Sequence, residues 1–86
     1  MSDEMNTIKQ RVVDFIKSKR NLQQLDYDVH LIKSKIINSM FLVQLVKFSE
    51  KESGQTLAPE DLNFDNFCTV NNIAALIHKN KYRRVQ

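Results

Sequence analysis

The sequence predicts an all-α protein of four helices, and three observations carry that prediction. Its 86 residues include a single glycine and a single proline, a helical profile. Near the N-terminus Ile8, Val12, Phe15 and Ile16 stand at i, i+4, i+7 and i+8. Near the C-terminus Val70, Ile73, Ala74 and Ile77 stand at i, i+3, i+4 and i+7. Both spacings gather apolar side chains on one helical face.

The first stripe predicts helix 1 over residues 6–20. Lys17, Lys19 and Arg20 put cations at the negative end of the helix dipole, and Asn21 can follow as a stop. Residues 21–38 show no sustained period, because Leu22, Leu25, Val29, Leu31, Ile32, Ile36 and Ile37 are scattered among polar residues. This predicts a long, pinned loop between helices 1 and 2. Irregular segments beyond about 12 to 15 residues are uncommon in compact domains and often functional.

Helix 2 is predicted over residues 39–53, where Met40, Phe41, Leu42, Val43, Leu45, Val46 and Phe48 are interrupted only by Gln44 and Lys47. Gly54 follows where a left-handed cap is cheapest. Leu57 to Leu62 read as a connector, Asn63 caps a very short helix 3 over 64–67, and helix 4 runs over 69–80 from Thr69. A basic tail occupies 81–86. Residues 1–86 form one domain, in which folding buries only about 60% of the surface the unfolded chain exposes.

Composition removes several function classes. With Cys68 the only cysteine and His30 and His78 far apart in sequence, neither an internal disulfide nor a metal-ligand spacing is expected. The N-terminal residues lack a basic segment followed by an apolar run, and no stretch approaches the about 20 apolar residues of a membrane span. The expectation is a cytoplasmic monomer without a membrane span. The formal charge of +3 comes from Lys79, Lys81, Arg83 and Arg84, since the other nine cations against ten carboxylates give −1. A basic tail on a neutral body argues against nucleic acid as the partner.

Helix 2 carries more apolar side chains than one buried stripe accommodates. Leu42, Leu45, Val46 and Phe48 are expected to line the core, which leaves Met40 and Val43 either as an exposed strip for a partner protein or as part of a broader buried face under the long loop. At the head of this helix Asn38-Ser39 sets a hydroxyl where free backbone N–H groups and the dipole favour an anion. One of the two residues is expected as the N-cap. Ser39 as a hydrolase nucleophile is disfavoured, because no Gly-x-Ser-x-Gly elbow surrounds it and neither histidine has an evident orienting acid.

The segment Asp28-Val29-His30-Leu31-Ile32-Lys33-Ser34-Lys35-Ile36-Ile37-Asn38-Ser39-Met40 resembles the loop and attachment site of the acyl/peptidyl carrier protein family, whose motif is Gly-Leu/Ile-Ile-Asp-Ser-Leu/Met. Gly54 followed by Leu57, Pro59, Glu60, Asp61, Leu62, Asn66, Phe67, Thr69, Val70 and Ile73 is similar to the family's Gly-x-x-Ile-x-Asp-Glu-Asp-Leu-x-x-x-Asn-Phe-x-Ser/Thr-Ile/Val stretch. The resemblance covers about residues 28–77. The Asn-Phe version looks most like free-standing aminoacyl or D-alanyl carriers.

The resemblance implies a four-helix carrier-protein bundle that is not itself an enzyme. In it Ser39 would bear a covalent 4'-phosphopantetheine from coenzyme A and hold an acyl or aminoacyl group as a thioester. Implied partners are a phosphopantetheinyl transferase, an adenylating acyl or aminoacyl ligase, and downstream acyl-transferring or condensing enzymes. Asn38, Met40, Val43 and Lys47 would meet them. Three departures stand out. Asn38 replaces the family's Asp, Lys35 replaces its Gly, and Lys47 lies on a helix that is nearly neutral where carriers are strongly acidic. The competing expectation is a small helical adaptor that binds a protein through helix 2 and an anionic partner through its tail.

Overall fold

The computed structural model describes residues 3–83. It is all-α: α1 spans Asp3–Arg20, α2 Ser39–Ser53 and α3 Val70–Lys81, with two short 3-10 turns at Pro59–Asp61 and Phe64–Phe67 between α2 and α3. The expected number of helices is thereby corrected. Among the described residues there are three α-helices, and the segment read as helix 3 is a single 3-10 turn. Asn63 and Thr69 bracket it, both in extended backbone and both capping with their side chains, Asn63 to the Asn66 amide and Thr69 to the Asn72 amide. The five residues between these two caps cannot propagate an α-helix.

Two helix ends follow the same chemistry. Asn21 is left-handed at φ 56°, and the Leu22 amide donates to the Lys17 carbonyl at 3.1 Å, so α1 stops where its sequence placed a stop. Gly54, at φ 78°, donates its amide to the Glu50 carbonyl and ends α2. The start of α1 lies three residues before the expected one. Asp3 and Glu4 occupy its first turn, where carboxylates suit the positive end of the dipole. Thr69 is the cap of α3 and Val70 its first residue. Of the basic tail, Lys81 closes α3, whereas Arg84, Val85 and Gln86 lie outside the described residues.

α3 is the central element and packs against both α1 and α2. Its Val70, Ile73, Ala74, Leu76 and Ile77 are buried against Ile8, Val12, Val13 and Ile16 of α1. From α2 the buried stripe is Phe41, Leu45, Ser49 and Ser53, a strict i+4 series. This corrects the expected core set. Phe41 takes the buried place, while Leu42, Val46 and Phe48 sit half-buried beside that stripe.

α1 and α2 run antiparallel. The Arg20 guanidinium lies over the Phe41 ring at one end, and Arg11 pairs with Glu52 at the other. Between them Phe15 stacks on both Phe41 and Phe48. Where α2 and α3 both end, the fully buried Asn80 donates from Nδ2 to Ser53 Oγ at 2.8 Å and to the Gln55 carbonyl at 2.9 Å. Gln55 Nε2 returns a bond to the Asn80 carbonyl at 2.8 Å. The ends of the two helices are thus tied by polar bonds inside the fold.

The segment from Asn21 to Asn38 is a loop of turns, as its sequence predicts. Buried Leu31 and Ile37 anchor it. The Leu31 amide donates to the Cys68 carbonyl at 2.6 Å, the Asn71 amide to the Tyr27 carbonyl at 3.1 Å, and the Ile37 amide to the Leu31 carbonyl at 2.9 Å. The chain therefore enters α2 from a support fixed to the beginning of α3. No helix among the described residues is long and apolar enough to cross a membrane.

Candidate functional site

Asn38 is the cap of α2. Its backbone is extended, its Oδ1 accepts the Phe41 amide at 2.8 Å, and its carbonyl accepts the Leu42 amide at 2.8 Å. Of the two residues that could cap, only Asn38 does so. Ser39 is the first helical residue, exposed, and its hydroxyl hydrogen-bonds to nothing among the described residues. The backbone amides of Ser39 and Met40 likewise have no protein acceptor there. Two N–H groups and one hydroxyl thus face solvent at the positive end of a 15-residue helix.

What puts them there is the approach of the loop. Lys35 is left-handed at φ 66°, the Lys35 amide donates to the Ile32 carbonyl at 3.0 Å, and Ile37 then turns into the core. With Ile37 fixed inside, Asn38 and Ser39 emerge at the surface. Lys35 is the position at which the carrier motif has glycine, and it adopts the backbone conformation that glycine makes cheap.

Met40, Val43 and Lys47 stand at i, i+3 and i+7 on the outward face of α2. Met40 is 77% exposed and Val43 56%, large values for apolar side chains, and Lys47 is exposed beside them. The structure thus sets Asn38, Ser39 and Met40, all exposed, at the N-terminal end of α2, with Val43 and Lys47 following Met40 along the helix. Leu62 and Phe64, each at least half exposed, add apolar surface in the segment before α3. Sequence reasoning missed these two, because 3-10 turns this short present no period from which a facing direction can be read.

The C-terminal end of α1 also reaches this site. Lys19 and Arg20 line a hollow of about 320 Å³ with Asn38, Met40, Phe41 and Gln44. The local charge is therefore positive, from two cations added to the helix terminus. Glu52, at the far end of α2, is held below its ordinary carboxylate pKa, chiefly by the hydrogen bonds from Arg11. That carboxylate is fully engaged and contributes no free negative charge beside Ser39.

The remaining reactive side chains serve structure. His30 Nδ1 accepts the Lys33 amide at 3.1 Å within the loop. His78 packs against Tyr82 near Glu4, at the opposite end of the fold from the Asn21 turn. Cys68 Sγ donates to the Asp65 carbonyl and accepts from Asn72 Nδ2, which holds the turn before α3. Neither histidine hydrogen-bonds to Ser39, so no nucleophile and base are paired there. Among the described residues no group of three or more His, Cys, Asp or Glu is arranged to hold a metal ion.

The chain matches no protein-family model, no curated protein and no solved structure.

Proposed function

We propose that this chain is a free-standing acyl or peptidyl carrier protein, with Ser39 as the attachment point of a 4'-phosphopantetheine arm. One observation carries the reading. The capping role that would explain a serine at this position is filled by Asn38, which leaves the Ser39 hydroxyl exposed and without a structural duty. The residues present fit the group. A phosphodiester on Ser39 would lie at a helix N-terminus with two unpartnered amides and with Lys19 and Arg20 close by.

Ser39 Oγ would form a bond to phosphorus at the pyrophosphate of coenzyme A, the P–O bond to the nucleotide half would break, and the hydroxyl proton would pass to a base of the transferase. The arm supplies a thiol for thioester chemistry. The chain supplies position and tethering, which raise the local concentration of cargo at a docked enzyme. Cargo loading would come from an adenylating ligase and unloading from acyl-transferring or condensing enzymes, which read Asn38, Met40, Val43 and Lys47. Further support comes from the left-handed Lys35, whose backbone matches the glycine of the motif that residues 28–40 resemble.

The exposure of Met40 and Val43 equally suits the second reading, a helical adaptor that engages a protein partner without modification. Intact-mass measurement after incubation with coenzyme A and broad-specificity phosphopantetheinyl transferases separates the two. The carrier reading expects one added phosphopantetheine on the wild type and none on Ser39→Ala. A wild type that stays unmodified with every transferase tried, its own host's included, leaves the adaptor reading in its place.

A further inference from the structure

The charges of α2 are sorted by direction. Both of its carboxylates are engaged within the fold: Glu52 takes a two-point contact from Arg11, with Nη2 at 2.8 Å, and Glu50 Oε2 accepts the Leu57 amide at 2.9 Å. Both of its lysines face out. Lys47 and Lys51, one turn apart, are exposed and pair with no carboxylate among the described residues. Lys19 of α1 is exposed opposite them and is equally without an ion-pair partner there.

These three lysines rim a groove of about 480 Å³ between α1 and α2, and its floor is apolar. Phe15 and Phe48 stack there with centroids 4.3 Å apart, and both are half-buried. The groove shares Lys19 and Gln44 with the hollow beside Asn38 and Met40, so the two form one trough along α2. Fifteen residues at about 1.5 Å rise make that trough about 22 Å long.

We infer that this trough is the docking site for an acidic amphipathic helix of a partner protein. Its apolar stripe would rest on Phe15 and Phe48, and its carboxylates would face Lys19, Lys47 and Lys51. Charge complementarity selects the sign of the partner, because the groove is lined by Arg11, Lys19, Lys47 and Lys51 against one carboxylate, Glu52, which Arg11 already pairs. Two antiparallel helices with a furrow between them accept a third helix through its i, i+3 and i+4 side chains. A nucleic acid shares the charge but fits less well. Phe15 already stacks on Phe41 and Phe48, and Lys19 Nζ lies 5.8 Å from its ring centroid, so the ring is a poor stacking platform for a base.

The inference goes beyond the carrier reading and does not depend on it, so the test uses the Ser39→Ala chain alongside the wild type. The probe is a synthetic helical peptide with a leucine stripe and glutamates elsewhere, titrated into the full-length ¹⁵N-labelled chain and followed by chemical-shift changes. The expected result is the same in both chains: shifts concentrated at Lys19, Gln44, Lys47, Phe48 and Lys51, binding that weakens as salt rises, and an about tenfold loss of affinity in K47E/K51E. Both substitutions lie on exposed side chains, and circular dichroism checks that the helices persist. The inference is overturned by shifts concentrated elsewhere, or by absence of binding. Equal affinity for a scrambled peptide of the same composition, or tighter binding of a thymidine oligonucleotide in the same groove, overturns it as well.

Discussion

Asn38 Oδ1 accepts the Phe41 amide at 2.8 Å, and this single bond divides the labour at the head of α2. The residue that caps the helix is not the residue that presents a hydroxyl to solvent. The two roles separate under mutation.

Asn38→Ala removes the cap and is expected to lower stability by about 1 kcal/mol, whereas Asn38→Asp keeps the capping oxygen and costs little. Ser39→Ala, which breaks no bond among the described residues, is expected to stay within about 0.5 kcal/mol of wild type. Urea denaturation of the three variants checks the order. A loss in Ser39→Ala as large as that in Asn38→Ala would mean that the serine carries a structural role.

Lys35 and Gly54 predict effects of opposite sign from the same backbone region. Lys35 is a non-glycine residue at φ 66°, so Lys35→Gly relieves a left-handed strain of about 1–2 kcal/mol and is expected to stabilise the fold after the entropic cost of glycine is subtracted. Gly54→Ala introduces such strain at φ 78° although no atom stands within 4 Å of the added methyl group. A destabilisation of about 1 kcal/mol is therefore expected from backbone alone. Thermal unfolding of both variants gives the signs.

Asn80 joins the ends of α2 and α3 through bonds that no apolar side chain can replace. Asn80→Leu takes the Nδ2 donor away from the buried Ser53 hydroxyl and from the Gln55 carbonyl, and a loss of about 1–3 kcal/mol is expected. Hydrogen exchange at the C-terminal turns of both helices should accelerate together in that variant.

Acid stability should report the two bridging carboxylates. Glu52 is held below its ordinary value of 4.5 by hydrogen bonds from Arg11, and Glu4 by hydrogen bonds from Lys81 and then Tyr82. A depressed folded pKa contributes stability that is present above 4.5 and is lost as pH falls through the folded value. Stability should therefore decline as pH falls below 4.5, and Glu52→Gln should flatten part of that decline. Denaturation midpoints measured from neutral pH downwards, at low and high salt, test both the sign and the screening.

Much of α2 was legible because its apolar run is bounded by chemistry with directional meaning, Asn38-Ser39 at one end and Gly54 at the other. The exposure of Met40 and Val43 was one of two readings that helical register allowed, and the packing of α2 selected it. The first turn of α1 was not legible, because Asp3 and Glu4 show no apolar period and the partners that hold Glu4, Lys81 and Tyr82, lie at the far end of the chain. The exchange of Phe41 for Phe48 in the core had the same origin. Both suit a buried face, and only the packing of α3 chose the stripe through Phe41, Leu45 and Ser49. The lysine-rimmed trough was invisible for that reason too, since Lys19 and Lys51 become neighbours only once α1 and α2 lie antiparallel.

The bonds from Leu31 to Cys68 and from Asn71 to Tyr27 make the segment ahead of Ser39 a strut rather than a hinge. If the proposed arm is attached to that serine, it would obtain its reach from its own rotatable bonds. Any search for a second site would then fall to that tether or to reorientation of the whole protein, because the backbone beneath Ser39 is tied to the start of α3.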